Sequence, residues 1–108
     1  MSIQTEVKAV VADIAREIRA NPAAWTQGRP ARDSAGHYVE PKHPAAVCWC
    51  LDGHIEKRVG PVWEEAGYQV YKALMRAMPE PEGVETWNDN RKRKVGEVIE
   101  LLEAVANG

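Results

Sequence analysis

Residues 2–22 read SIQTEVKAVVADIAREIRANP, and the apolar positions in this stretch decide the fold. Ile3, Val7, Val10, Val11, Ile14 and Ile18 recur at intervals of 4, 3, 1, 3 and 4. That is the stripe of an amphipathic helix with one buried face. Ser2 is placed to cap its start. Asn21-Pro22 is placed to end it, because a residue ahead of proline avoids the helical region. Gln4, Lys8, Asp13, Arg16 and Glu17 fall on the other side. Such a stripe must be covered by partner elements.

Working outward, the C-terminal partner is the clearest. Val95, Val98, Ile99, Leu102, Val105 and Ala106 form a second stripe, predicting a terminal helix over about 94–106. A third helix is predicted from Pro61 or Val62 to Pro79, with Trp63, Ala66, Gly67, Val70, Tyr71, Leu74 and Met78 at helical spacing. Gly67 costs such a helix up to ~1 kcal/mol relative to alanine, which points to a bend or a close crossing there. Another helix is predicted from Pro44 to about Arg58, ahead of Gly60-Pro61. On it, Ala46, Val47, Cys48, Cys50, Leu51, His54, Ile55 and Val59 sweep one arc, and Trp49 lies opposite beside Asp52 and Glu56. Residues 22–43 are broken every few positions by Pro22, Gly28, Pro30, Gly36 and Pro41. There, Asp33-Ser34-Ala35-Gly36 reads as a type I turn joining Arg29–Asp33 to His37–Glu40, with Trp25 and Tyr38 anchoring the ribbon on the helices. Residues 79–83 form an acidic linker. The expectation is a mainly α fold: one small domain over 1–108, with about four helices and a short β-hairpin-like arm between the first two.

Composition agrees. A chain of 108 residues with 44% hydrophobic and 28% charged content is long enough for one core and too apolar for wholesale disorder. Area scaling gives it a folded surface of roughly 6,000 Å². Fourteen Lys and Arg against sixteen Asp and Glu leave a net charge of −2, so no global field draws it to nucleic acid or anionic lipid. No apolar run approaches the roughly 18 residues of a membrane span. The N-terminus lacks the basic and apolar regions of a secretory signal. Cys48 and Cys50, two apart on a predicted helix, point to different faces and are expected to stay thiols in a reducing cytoplasm.

Trp25-Thr26-Gln27-Gly28, Cys48-Trp49-Cys50-Leu51-Asp52-Gly53 and Trp87-Asn88-Asp89 occur in that order. In them the chain resembles a family of small bacterial and phage proteins of unknown function. Its members combine a W-x-x-G element, a glycine-containing turn, a C-W-C-x-x-G helix and a late W-N-D ahead of a terminal helix. The similarity covers about residues 20–106 and implies a shared fold. This chain departs from the pattern at His54, where a small residue is usual. It departs again at Lys94, where a capping threonine is common, so the start of the last helix is expected to be less well fixed.

Four constellations bear on function. Cys50 and His54 are i and i+4, the spacing of a metal-ligand pair or of a thiolate–imidazolium dyad; zinc on Cys48, Cys50 and His54 would need a further ligand from His37 or His43. The spacing matches no strong zinc signature. The competing reading makes the thiols small buried hydrophobes and His54 a hydrogen-bonded core residue. Trp87, Asn88 and Asp89 read as a structural loop lock, with the indole in the core and the polar pair bonding backbone. Against that stands a polar pocket facing a ligand. Arg91-Lys92-Arg93-Lys94 opposes the dipole of the helix it precedes, and reads as a solvated face or as a patch for phosphate, nucleic acid or an acidic protein. Trp49 and Trp63, with Tyr68 and Tyr71, are surplus aromatics that either join the core or anchor a partner. There is no phosphate-binding loop, dinucleotide fingerprint, nucleophile elbow or H-E-x-x-H helix.

The expectation is therefore a non-enzymatic protein-interaction module, phage-encoded or self-associating, that contacts its partner through Trp49, Trp63, Arg91, Lys92 and Arg93 and needs no cofactor. The first alternative is an enzyme or zinc protein centred on Cys48, Cys50 and His54, with Asp89 in support. The second is weak nucleic-acid binding through Arg91–Lys94.

Overall fold

The computed structural model describes residues 2–108. Helix α1 runs Ile3–Ala20, strand β1 Ala31–Arg32, strand β2 Cys48–Trp49, and helices α2 Leu51–Val59, α3 Glu65–Ala77, α4 Val84–Asn88 and α5 Val95–Ala106. Helix α1 starts where Ser2 Oγ accepts from the Thr5 amide at 3.1 Å and stops at extended Asn21. Its stripe packs chiefly along α5, and α3 leans on α1, α2 and α5. Val11, Ile14, Ile18, Leu51, Ile55, Leu74, Val98 and Leu102 are wholly buried between these helices. Each contributes about 1.5–3 kcal/mol of transfer free energy. The folded surface is 6257 Å². Among the described residues, no helix is long and apolar enough to cross a membrane.

The mainly helical fold holds, and four elements differ from expectation. Helix α2 begins at Leu51, seven positions after Pro44. The residues before it are extended: Cys48–Trp49 pairs antiparallel with Ala31–Arg32, in register Ala31↔Trp49 and Arg32↔Cys48. The amides of Val47 and Cys50 donate to Arg32 and Pro30 carbonyls, while the Trp49 carbonyl accepts from Thr26. These bonds satisfy backbone groups on both sides of Trp49, which a helix there would leave to itself. Cys50 then caps α2, its sulfur accepting from the Gly53 amide at 3.4 Å.

The predicted turn is present, closed by Asp33 N–H to the His37 carbonyl and by two backbone amides donating to the Asp33 carboxylate. Its main ladder partner is nonetheless β2; His37–Glu40 contributes only an isolated bridge between Arg32 and Tyr38. Helix α4 is a helix beyond the four expected, formed where a linker and loop were predicted, and it includes Trp87 and Asn88.

Two glycines explain how closely the elements approach. A Cβ on Gly53 would sit 1.9 Å from the Pro30 carbonyl oxygen, so the chain leading into β1 can cross α2 only over a bare backbone. A Cβ on Gly67 would sit 2.2 Å from the Pro61 carbonyl oxygen. The close crossing expected at Gly67 is thus with the Gly60-Pro61 turn. That turn delays α3 to Glu65 and leaves Trp63 ahead of the helix, off its stripe.

Candidate functional site

Three of the four tryptophan-bearing segments meet at one buried amide. Asn88 Oδ1 accepts from Trp25 Nε1 at 2.7 Å and from the Leu51 amide at 3.0 Å. Its Nδ2 donates to the Thr26 carbonyl at 3.1 Å and to Asp89 Oδ1 at 2.9 Å. Asp89 Oδ1 also accepts from the Gly28 amide, and Gln27 Nε2 donates to the Asn88 and Asn90 carbonyls. Both functions of the Asn88 side chain are therefore committed within the protein. Trp87 is buried, with the Arg93 guanidinium 3.8 Å from its ring centre.

Cys48, Cys50 and His54 are spent separately. Cys48 Sγ lies 4.0 Å from the Arg32 carbonyl oxygen, and Cys50 Sγ faces the α2 amides. Burial, with the charge of Asp52 adding to it, pushes the Cys50 thiol up to about 12, so at neutral pH it is not a thiolate. His54 is wholly buried; its Nε2–H donates to the Ala24 carbonyl at 2.9 Å, and Nδ1 accepts from Arg58 at 3.2 Å. That pairing fixes one neutral tautomer and occupies the lone pair a metal would use. Burial, reinforced by Arg58, holds the imidazole down to about 3. Arg58 and Lys57 both bind Glu17 of α1, at 2.5 and 2.9 Å. Burial alone would raise the Glu17 carboxyl, but the hydrogen bonds from Lys57 and Arg58 outweigh it and hold the group below its usual value. Among the described residues, no three His, Cys, Asp or Glu side chains converge as a metal cage.

The basic run divides. Arg93 donates from Nε to the Trp87 carbonyl and lies 3.5 Å from Glu97, leaving Arg91, Lys92 and Lys94 exposed. Glu97 reaches back to the Lys94 amide at 2.9 Å, so a glutamate fixes the start of α5 in place of a threonine cap.

The tryptophans divide as well. Trp49 is half-buried: its Nε1–H donates to the Pro41 carbonyl at 2.9 Å, and Lys57 Nζ sits 3.2 Å from its ring centre. The arm covers it. Trp63 is 78% exposed. On one side of it opens a cleft of about 590 Å³, lined by Asp52, Val62, Tyr68, Tyr71 and Glu85. On the other side is a hollow of about 280 Å³ reaching Tyr38, Glu40, Pro41 and Glu56.

Sequence reasoning did not find this cleft, because α2, α3 and α4 each supply part of it. Tyr71 from α3 donates to Glu85 Oε2 at 3.0 Å and accepts from the Val84 amide, which fixes the start of α4. Tyr68 and Tyr71 lie nearly parallel, 6.5 Å between ring centres. Asp52, in the first turn of α2, is the exceptional group. Its Oδ1 is buried without a hydrogen-bond partner, and burial together with the charges of Glu85 and Asp89 pushes its carboxyl up to about 7. Glu85 is near enough to share a hydrogen bond with it once either is protonated. Chemically the cleft is a place where negative charge and aromatic surface meet, suited to holding a ligand.

The fold and this cleft define a small helical protein with an aromatic, acidic recess on one face. The chain belongs to a family of unknown function, DUF6197, whose model matches residues 2–108. No curated protein and no solved structure matches it.

Proposed function

We propose that this protein is an interaction module that engages a partner protein through the face centred on Trp63. The observation that carries the reading is the contrast among its tryptophans. Trp25 and Trp49 each spend the indole N–H on an internal acceptor, and Trp87 is buried, whereas Trp63 stands out 78% exposed between two hollows. Indoles carry a large share of binding energy where they are desolvated by a partner. Tyr38 and Tyr68, 47% and 44% exposed, widen the same surface. Arg91 and Lys92 stand as a secondary, electrostatic contact. Free Cys48 and Cys50 fit a reducing, cytoplasmic setting.

The test is affinity capture from the native lysate with wild-type protein and Trp63→Ala side by side, followed by identification of retained proteins. A partner held by wild type and lost with Trp63→Ala is expected. Identical retained sets would refute the reading, provided Trp63→Ala unfolds at the wild-type midpoint.

A further inference from the structure

We infer that the cleft beside Trp63 receives an arginine side chain of the partner, its guanidinium donating to the adjacent carboxylates of Asp52 and Glu85 and stacked against the aromatic wall. The inference rests on the interaction reading and specifies the chemistry of the occupant.

Charge complementarity selects it. Glu40, Asp52, Glu56 and Glu85 surround the two hollows, and among the described residues none of the four forms an ion pair with a lysine, arginine or histidine. The nearest cations of α2 are committed elsewhere, Lys57 to Glu17 and the Trp49 ring, Arg58 to Glu17 and His54. Asp52 Oδ1 is buried with no donor to satisfy it. A buried acceptor without a donor disfavours the charged carboxylate in the free protein, and N–H groups brought to Asp52 where it lines the two hollows offset that cost.

Shape selects arginine over lysine. Trp63, Tyr68 and Tyr71 line the cleft; a planar, weakly hydrated guanidinium stacks on such rings across its whole plane, whereas an ammonium makes a point contact, as Lys72 Nζ does 5.1 Å from the Tyr68 ring centre. Its five N–H donors also suit two carboxylates at once, and the bonds formed are charge-assisted. A neutral side chain of the same length brings no charge to either carboxylate.

The test titrates ¹⁵N-labelled protein with acetyl-Gly-Arg-Gly-amide and, separately, with the citrulline peptide, which keeps the shape and loses the charge. Indole N–H signals are followed and assigned with Trp63→Phe. The arginine peptide is expected to shift the Trp63 signal saturably, with the citrulline peptide binding at least about tenfold more weakly. Asp52→Asn and Glu85→Gln are each expected to weaken the arginine peptide by a similar factor; Glu85→Gln serves if Asp52→Asn does not fold. Equal shifts from both peptides would overturn recognition of the cation and leave Trp63 as a docking surface. No shift from either, with a lysate partner still lost in Trp63→Ala, would overturn the arginine alone. A Trp63 signal that moves with protein concentration and ignores peptide would assign the cleft to a second copy of the chain, and would likewise overturn the proposal.

Discussion

Replacing Asp52 with asparagine removes a carboxylate that the native fold holds at a disadvantage. Its pKa stands at about 7 against an ordinary 3.8, so from about pH 4 to 7 the native state keeps a proton that the unfolded chain gives up. Raising the pH through that window therefore lowers stability. A shift of roughly three units corresponds to at most about 4 kcal/mol, and partial solvent contact plus a favourable position in the first turn of α2 reduce this to about 2 kcal/mol. His54 acts in the opposite sense. Held at about 3 against 6.5, it stays neutral in the native state while the unfolded chain gains a proton below pH 6.5. Its contribution is complete above pH 6.5 and is lost as the pH falls toward 3, at about 1.4 kcal/mol per unit.

The two slopes oppose each other between about pH 4 and 6.5, so wild-type stability should rise with pH less steeply there than His54 alone would make it. Asp52→Asn leaves His54 unopposed. Urea unfolding at pH 8, 6.5 and 5 should find the variant more stable than wild type by about 2 kcal/mol at pH 8, with the gap closing toward pH 5 at unchanged m-value. A variant less stable than wild type at pH 8, or a gap independent of pH, would refute the reasoning.

Other substitutions test the packing. Gly53→Ala and Gly67→Ala drive a methyl into the Pro30 and Pro61 carbonyls respectively, and each should cost about 3 kcal/mol in denaturant unfolding. Asn88→Ala strips the partner from Trp25 Nε1–H, the Leu51 amide and the Thr26 carbonyl, and should lower stability by about 3 kcal/mol, read as a fall in the thermal midpoint. Trp63→Ala should change stability by no more than about 0.5 kcal/mol, because that indole buries little within its own fold.

The parts of this fold legible in the sequence are those whose signal is local. The α1 stripe from Ile3 to Ile18 and the α5 stripe from Val95 to Ala106 need only periodicity, and the Asp33–Gly36 turn needs only turn chemistry. Cys48–Trp49 is a strand where the sequence predicts a helix, because a short apolar run from Ala46 to Leu51 suits a buried strand as well as a helix. What decides between them is the partner, Ala31–Arg32, which lies across a proline-broken loop. Helix α4 is too short for periodicity to register. Trp63 matched a helical stripe only on the assumption that Pro61 opens α3; packing of the Gly60-Pro61 turn on Gly67 moves the start to Glu65. Asp52, Tyr71 and Glu85 come from three separate helices, so no spacing along the chain brings them together. Only the folded arrangement does so.

The most direct measurement is photo-crosslinking in the native cell, with p-benzoylphenylalanine placed at position 63 and, as a control, at exposed position 100 of α5. A discrete adduct formed at position 63 and absent at position 100 is the predicted result. No adduct at 63, or the same products from both positions, would contradict the claim that this face meets a partner.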